Sequence, residues 1–511
     1  MQKKVVATIV IFSILRLFTA SMLELGNDET YYWLYSQQLQ WNYFDHPPLV
    51  ALGIRFFTLN LAFDQQEVFV RLASIAGCAL SSVFMYKAVT LISNQRAGWF
   101  SVILYNTSFY AGVVAGILIM PDAPQMVFWT FCLWMLARIA RHDGGDWFGW
   151  IGFGIAAGLA IMSKVHSIFL WVGVGSFILL RKREWLTLPS LYVSVLLTLL
   201  IASPILWWNW QYDFITWRFH SERIDITEQV SRKDSFWAEL LGQVLVNNPV
   251  NFMLAILATY ALFKKRNATP LALSVYNFIA WPMAICLIII SFFRDIWPHW
   301  SGPAYTSLLP LTAIWLDQRK RKAVYPSALN WAIGGFLLFL IAWPLIVKFY
   351  PGTFGSNIKT QLGKGDFTLD KHGWKDAGEK FIELYYREQS AGNAPAGSPL
   401  VCSNWWGSHI EYYFGDDGRI PVIGLGDIAH LHQYAWLNET RENETDMSTG
   451  YCIISSIEKG ETPAIYKDYY QHIDSITTIP VFRNKLPAQY FYVYRLSGWK
   501  NKQIPVAHKL R

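Results

Sequence analysis

Charge is scarce in this chain: Asp, Glu, Lys and Arg make up only 15% of its 511 residues, well below the share in soluble domains. That shortage excludes an ordinary soluble enzyme. Cysteine is scarcer, with five residues (Cys78, Cys132, Cys286, Cys402 and Cys452) and no CxxC or Cys/His spacing, which argues against a zinc site and a disulfide scaffold. Tandem repeats and long low-complexity tracts are missing too. What remains is 53% hydrophobic and 16% aromatic, the makeup of a polytopic membrane protein. The net charge of +7 reports topology and not nucleic acid, because the cations fall in short clusters between apolar segments.

The N-terminus, "MQKKVVATIVIFSILRLFTASMLEL", has the charged head and apolar core of a signal peptide but no clear small-residue cleavage site. Its length suits an uncleaved anchor. Eleven apolar segments predict spanning helices: about 5 to 24, 68 to 91, 98 to 119, 122 to 138, 147 to 162, 167 to 180, 187 to 207, 237 to 262, 269 to 291, 301 to 316 and 328 to 348. With Lys3 and Lys4 in the cytoplasm, the compact basic clusters all fall on the inner side: Arg96, Arg138 with Arg141, Arg181 to Arg183, Lys264 to Arg266, and Arg319 to Lys322. The opposite connections carry Asp28, Glu29, Asp45 and His46, then Asp122, then Lys164 and His166, then Asp213, Arg218, His220 and Glu222, then Arg294, Asp295 and His299. Residues 1–349 thus form a transmembrane domain. From 350 to 511 the chain turns polar, with strand-like runs "PLVCSN", "YCIISS" and "QYFYVYRL" and the helical stretch "GWKDAGEKFIELYYRE", which predicts an exported α/β domain. Cys402 and Cys452 fall in two of those runs, placed either to pair in an oxidising compartment or to sit as buried thiols.

The first exported loop concentrates chemistry. In "GNDETYYWLYSQQLQW" Gly26 breaks the preceding helix, Asn27 can cap, and Asp28 and Glu29 occupy a first turn whose dipole favours a carboxylate in its ionised, basic form. "YFDHPPL" sets Asp45 and His46 before two prolines that stiffen the loop. "MPDAP" puts Asp122 at another helix mouth. A charge deep in the bilayer costs about 2.5 to 3.5 kcal/mol on insertion scales, so acids gathered at the mouths on one side suggest a shared polar site. The opposing reading is that Asp28 and Glu29 merely cap an interfacial helix.

The DE pair with its tyrosines, "YFDHPPL", "PDAP", the "SK" of "GLAIMSKVHS", "SPILWWNWQYDFITWRF" and "HWSGPAYTSLLPL" together resemble the glycosyltransferase family 39 group of bacterial inner-membrane enzymes. These are relatives of protein O-mannosyltransferases and lipid A aminoarabinose transferases. The resemblance runs to about residue 316. It implies a C-type glycosyltransferase fold, a multi-pass bacterial inner-membrane location, a polyprenyl-phosphate-linked sugar as donor, and a site on the periplasmic side. It aligns Asp28 with the family's catalytic aspartate and Asp122 with its second acid. Asp45 and His46 sit where the aminoarabinose transferases carry an acid followed by lysine, and the change to histidine leaves the sugar open.

The reaction so implied is attack by an acceptor hydroxyl, of lipid A or another lipid, a glycan or a protein, on the anomeric carbon with inversion. Asp28 would be the general base, and Glu29 and Asp122 would orient the acceptor or tune it. The leaving phosphate calls for positive charge, for which Lys164 leads, followed by Arg218, Arg223, Arg294 and His299. Each has a plainer alternative: Lys164 snorkelling to the interface, Arg218 and Arg223 pairing with Asp213 or Glu222, and the tryptophans from Trp207 to Trp217 forming an aromatic belt. No cofactor is certain, with a divalent cation on Asp45, His46 and His299 kept open. A transporter or flippase of polyprenyl-linked glycans is the rival class, weakened by the lack of repeated halves. A noncatalytic sensor would account for residues 350–511 but not for the motifs. The C-terminal domain is expected to recognise the acceptor or support assembly.

Overall fold

The computed structural model describes residues 1–224, 235–264, 270–319, 326–458 and 462–510. Each of the eleven apolar segments holds a helix: α1 (Lys3–Met22), then, after α2 (Asn27–Gln37) and α3 (Leu49–Phe57) in the first connection, α4 (Glu67–Ile92), α5 (Gln95–Thr107), α6 (Asp122–Arg141), α7 (Trp147–Ser163), α8 (Phe169–Arg181) and α9 (Pro189–Gln211). Then come α10 (Ile215–Ile224), α11 (Ser235–Val246), α12 (Pro249–Lys264), α13 (Leu271–Ile290), α14 (Gly302–Gln318) and α15 (Ser327–Phe349). Among the described residues five helices, α1, α4, α9, α13 and α15, are each long and apolar enough to cross a bilayer alone, and α11 with α12 passes as a pair bent by 95°. The remaining segments hold shorter or less apolar helices.

Two expected spans are broken. The segment from 237 to 262 bends between α11 and α12. That from 98 to 119 stops at Thr107, where Ser108 turns extended, and resumes as a π-helical turn over Tyr110–Val114. Breaks inside an apolar domain leave carbonyls without helical partners. Here buried Arg16 of α1 supplies donors: Nε to the Gly112 carbonyl at 2.9 Å, Nη1 to Asn106 Oδ1 at 2.9 Å and Nη2 to the Asn106 carbonyl at 3.2 Å. The core below the break is built on Trp129, Trp150, Phe153 and Phe177.

Residues after Tyr350 form the expected α/β unit: α16 (Trp374–Ser390), β1 (Leu400–Cys402), α17 (Gly407–Phe414), β2 (Val422–Gly424), α18 (Ile428–Leu431), α19 (Tyr434–Arg441), β3 (Thr449–Ser455), β4 (Tyr470–Arg483) and β5 (Leu486–Trp499). The sheet order is β2-β1-β3-β5-β4, with β2, β1 and β3 parallel and β5 antiparallel to both neighbours. Asn484 and Lys485, both at positive φ, make the two-residue turn that suits the right-handed twist of β4 and β5. Side chains alternate faces along a strand. Cys402 therefore packs with Leu400, Tyr451 and Ile453 on one face, and Cys452 with Val401 and Ile454 on the other. Opposite faces settle the cysteine question in favour of two buried thiols.

The first of those faces decides where the site lies. Its core is continuous with α2 and α3, through Tyr31, Tyr35, Val50 and Ile54, and with Trp374, Phe381 and Phe414 of the C-terminal domain. The first connection is thus sandwiched between the membrane helices and the C-terminal sheet.

Candidate active site

Helix α2 starts on a crowded charge cluster. Glu29 is buried and both of its oxygens are occupied: Arg71 donates from Nε to Oε1 and from Nη2 to Oε2, each at 2.7 Å, Lys371 Nζ to Oε2 at 2.6 Å, Gly26 N to Oε2 at 3.0 Å and Ile119 N to Oε1 at 3.2 Å. Burial opposes ionisation of Glu29, but Arg71 and Lys371 outweigh it and hold its carboxyl well below the usual carboxylate range. The cap is therefore Gly26 with Glu29 reaching back to its N–H, where the sequence suggested Asn27. A Cβ at 26 would lie 2.2 Å from Lys371 Nζ and 2.3 Å from Asp370 Oδ2, so a larger residue there would displace those two side chains.

Asp28, next to it, is the exposed residue of an otherwise buried or half-buried helix, and it has no hydrogen-bond or ion-pair partner among the described residues. Its surface is open, yet the protein around it and then the Asp370 carboxylate push its pKa up to about 6, with Lys371 opposing. The helix start suggests an ionised Asp28, and at neutral pH it is ionised, though with its pKa raised and not lowered. A carboxylate of this kind is ionised at neutral pH and still basic enough to accept a proton.

Asp45 and His46 lie one layer on. The Asp45 carboxylate accepts from Tyr31 Oη at 3.0 Å and from Tyr35 Oη, and its backbone carbonyl accepts from His220 Nε2 of α10 at 2.7 Å. Burial works against its charge, but His46, His432, the Tyr35 bond and His220 hold it below its ordinary value. His46 Nε2 is 4.0 Å from Asp45 Oδ2. Burial drives the His46 pKa down to about 3 against the pull of Asp45, with His220 and Lys164 adding to the fall. His432 reaches in from the C-terminal domain, stacked on Phe44 at 4.3 Å between ring centres.

At the third mouth Lys164, just past the end of α7, pairs with Asp122 at the start of α6, Nζ to Oδ2 at 2.8 Å, and Tyr110 Oη donates to Asp122 Oδ1 at 2.9 Å. Both charges are buried, so Lys164 does not snorkel. His299 and His166 share the field of this pair, and His46 feels both members of it. Burial, then Lys164, drives His299 to about 4 and His166 well below its usual value. An anion arriving here meets a buried cation and neutral imidazole N–H donors.

Asp28, Glu29, Asp45, His46, Asp122, Lys164 and His299 are thus brought into one electrostatic neighbourhood. Arg218 is not: it is exposed and paired with Asp213 at 2.9 Å, because its turn of α10 faces away from His220. The side chain of Arg223 lies outside the described residues. Arg294 is half-buried on the connection that carries His299. Among the described residues no three His, Cys, Asp or Glu side chains are placed to hold a metal ion, so Asp45, His46 and His299 do not form a ligand set. Trp207, Trp210 and Trp217 are exposed, whereas Trp208 is buried and stacked on Trp436 at 5.4 Å. Sequence reasoning missed Arg71 and Lys371. Arg71 carried a signal, a lone cation inside an apolar run, and Lys371, 342 positions from Glu29, carried none.

The architecture is that of a C-type membrane glycosyltransferase. ArnT from Cupriavidus metallidurans in the apo state superposes with a TM-score of 0.63, covering 96% of this chain and 97% of that one at 14% identity. The same enzyme bound to undecaprenyl phosphate gives 0.61, with the same coverage and identity. The family model described as dolichyl-phosphate-mannose-protein mannosyltransferase matches residues 45–208, the stretch holding Asp45, His46, Asp122 and Lys164. The lipid A galacturonosyltransferase RgtD of Rhizobium johnstonii is 24% identical over 464 residues, 86% of this chain and 92% of that protein. These likenesses support the resemblance to the glycosyltransferase family 39 group, and the chain is an enzyme, a glycosyltransferase of the membrane. The transporter and sensor readings fall with that assignment.

Proposed function

We propose that this enzyme moves a sugar, with inversion, from a polyprenyl-phosphate carrier to a hydroxyl of lipid A on the exported, periplasmic face of the bacterial inner membrane. The observation that carries the proposal is Asp28: a carboxylate at a helix start with no hydrogen-bond partner among the described residues, linked through Asp45 and His46 to a buried Lys164–Asp122 pair. The acceptor oxygen forms its bond to the anomeric carbon as its proton passes to Asp28, and the bond from that carbon to the phosphate oxygen breaks with the electron pair leaving on phosphate. Lys164 takes up the growing negative charge, and Asp122 with Tyr110 fixes where the ammonium points. Asp45, held by two tyrosines, and His46 are placed to meet the sugar or acceptor. Glu29, saturated with donors, positions the base and does not touch substrate.

The sidedness follows from which ends the charges occupy. Gln2 hydrogen-bonds Gln95, Asn94 donates to Asp317 at 2.7 Å and Arg96 lies 3.6 Å from Asp317, so the N-terminus and two basic connections share one end. Helix α6 runs from Asp122 at the site to Arg138 and Arg141 at its other end. By the positive-inside rule the basic end is cytoplasmic, which leaves the site and the C-terminal domain outside. For the sugar the relative over most of the chain is the guide: a galacturonic acid. The purified enzyme in vesicles with lipid A and undecaprenyl-phosphate galacturonic acid tests this, with lipid A read by mass spectrometry. A hexuronic acid increment on lipid A is expected, and label confined to protein or glycan, or no transfer, overturns it.

A further inference from the structure

The stretch Glu24–Thr30, which delivers Asp28, is held by the C-terminal domain at six points. Trp374 N donates to Glu24 Oε2 at 2.8 Å, Leu25 N to Tyr413 Oη at 2.6 Å and Asn27 N to Asp370 Oδ1 at 3.0 Å. His409 Nε2 meets the Leu25 carbonyl at 3.0 Å, Thr30 Oγ1 meets Ser408 Oγ at 3.2 Å, and Lys371 Nζ ends on Glu29. The contact at Gly26 is so close that a Cβ there would push the Asp370 and Lys371 side chains aside. Such a grip from a distant part of the chain is more than packing requires, since α2 and α3 already share an apolar core with the sheet.

We infer that Asp370 and Lys371 are positioning residues for the base: the C-terminal domain, docked through this turn, fixes the first turn of α2 and sets the charge around Asp28. The inference rests on the role proposed for Asp28. Four charged groups bear on that carboxylate: Asp370, Lys371, Asp45 and Glu29, with Arg71 neutralising Glu29 from α4. Asp370 and Lys371 come from the C-terminal domain and pull in opposite directions, so each can be removed to move Asp28 one way or the other. The domain is then a working part of the site, beyond any part it plays toward the acceptor.

The test uses the full chain in detergent, as wild type, Asp370→Asn and Lys371→Met, with thermal unfolding to establish that each is folded. Asp28 is labelled with a water-soluble carbodiimide, which reacts with the protonated carboxyl, across a pH series, and its peptide is quantified by mass spectrometry. Transfer rates are measured over the same series. In wild type both midpoints should fall near pH 6. Asp370→Asn should move them lower and Lys371→Met higher, each by about one pH unit, the lower end of what a neighbouring charge does. Midpoints unmoved in both folded variants would overturn the inference. Should wild type transfer no sugar, the reaction proposed above fails, while the labelling series still judges the turn.

Discussion

Arg71→Met is the substitution whose cost can be worked most directly from the structure. The guanidinium is fully buried and makes five hydrogen bonds: two to Glu29, one to the Glu24 carbonyl at 2.8 Å and two to the Ala20 and Leu23 carbonyls at 2.8 and 2.6 Å, at the end of α1. Methionine fills similar volume and makes none of them. Glu29 would keep Lys371 but lose its bidentate partner, and removing one member of a buried ion pair costs about 3–5 kcal/mol. The freed carbonyls add to that, though not additively, because all five bonds belong to one network. Arg71→Lys keeps the charge without the planar fork and should fall between the two. Thermal unfolding of the purified protein in detergent reads the effect, with both variants expected below wild type and Met lowest. The double variant Glu29→Gln, Arg71→Met should lose less than the sum of the singles. If Arg71→Met unfolded within about 0.5 kcal/mol of wild type, the range of an ordinary surface change, the reasoning about this buried network would be refuted.

Lowering pH through about 6 should switch transfer off as Asp28 takes up its proton. Because its folded pKa lies above the usual value, the stability linked to that proton is present at low pH and is lost as pH rises through about 6, so Asp28→Asn should hold its melting temperature where wild type declines. Lys164→Met strands Asp122 in the interior and should cost about 3–5 kcal/mol, with transfer lost; normal melting would contradict the pair. Arg218→Ala, outside the cluster, should leave both melting and transfer unchanged. Reductant should not alter the melting temperature, since Cys402 and Cys452 face opposite sides of the sheet.

How far the sequence could be read depended on the range of the interactions involved. Apolar runs are local, so eleven helical segments were legible, as were β1, β3, β5 and α16. The broken spans were not: Asn106 and Gly112, on either side of Ser108, are held by Arg16, at least 90 residues earlier, and no window on 98 to 119 contains that fact. β4 escaped because its exposed edge breaks up the apolar alternation. Asp28, Asp45, Asp122 and Lys164 stood out because a charge near a helix mouth is conspicuous in an apolar chain. The resemblance already made Asp28 the expected base and Glu29 its neighbour that tunes it; what was hidden is that Arg71, and Lys371 from the far end of the chain, occupy Glu29. The sign of the Asp28 shift was hidden as well: the helix dipole is visible in sequence, whereas the surrounding protein that raises the pKa, and Asp370 after it, are not. Asn438, half of a tempting pair of NET sequons with Asn443, is buried and bonded to Gly424 and Pro505, which rules out a glycan there in the folded state.

Transfer by the wild type against Asp28→Asn bears most directly on the central claim. Both proteins would be purified, matched for folding by their melting curves, placed in vesicles with lipid A and a polyprenyl-phosphate sugar, and followed by the rate of modified lipid. A general base contributes about 10²- to 10⁴-fold, so the folded variant should be slower by that factor at pH 7. Equal rates from two folded proteins would remove Asp28 from the reaction and with it the site described around the start of α2.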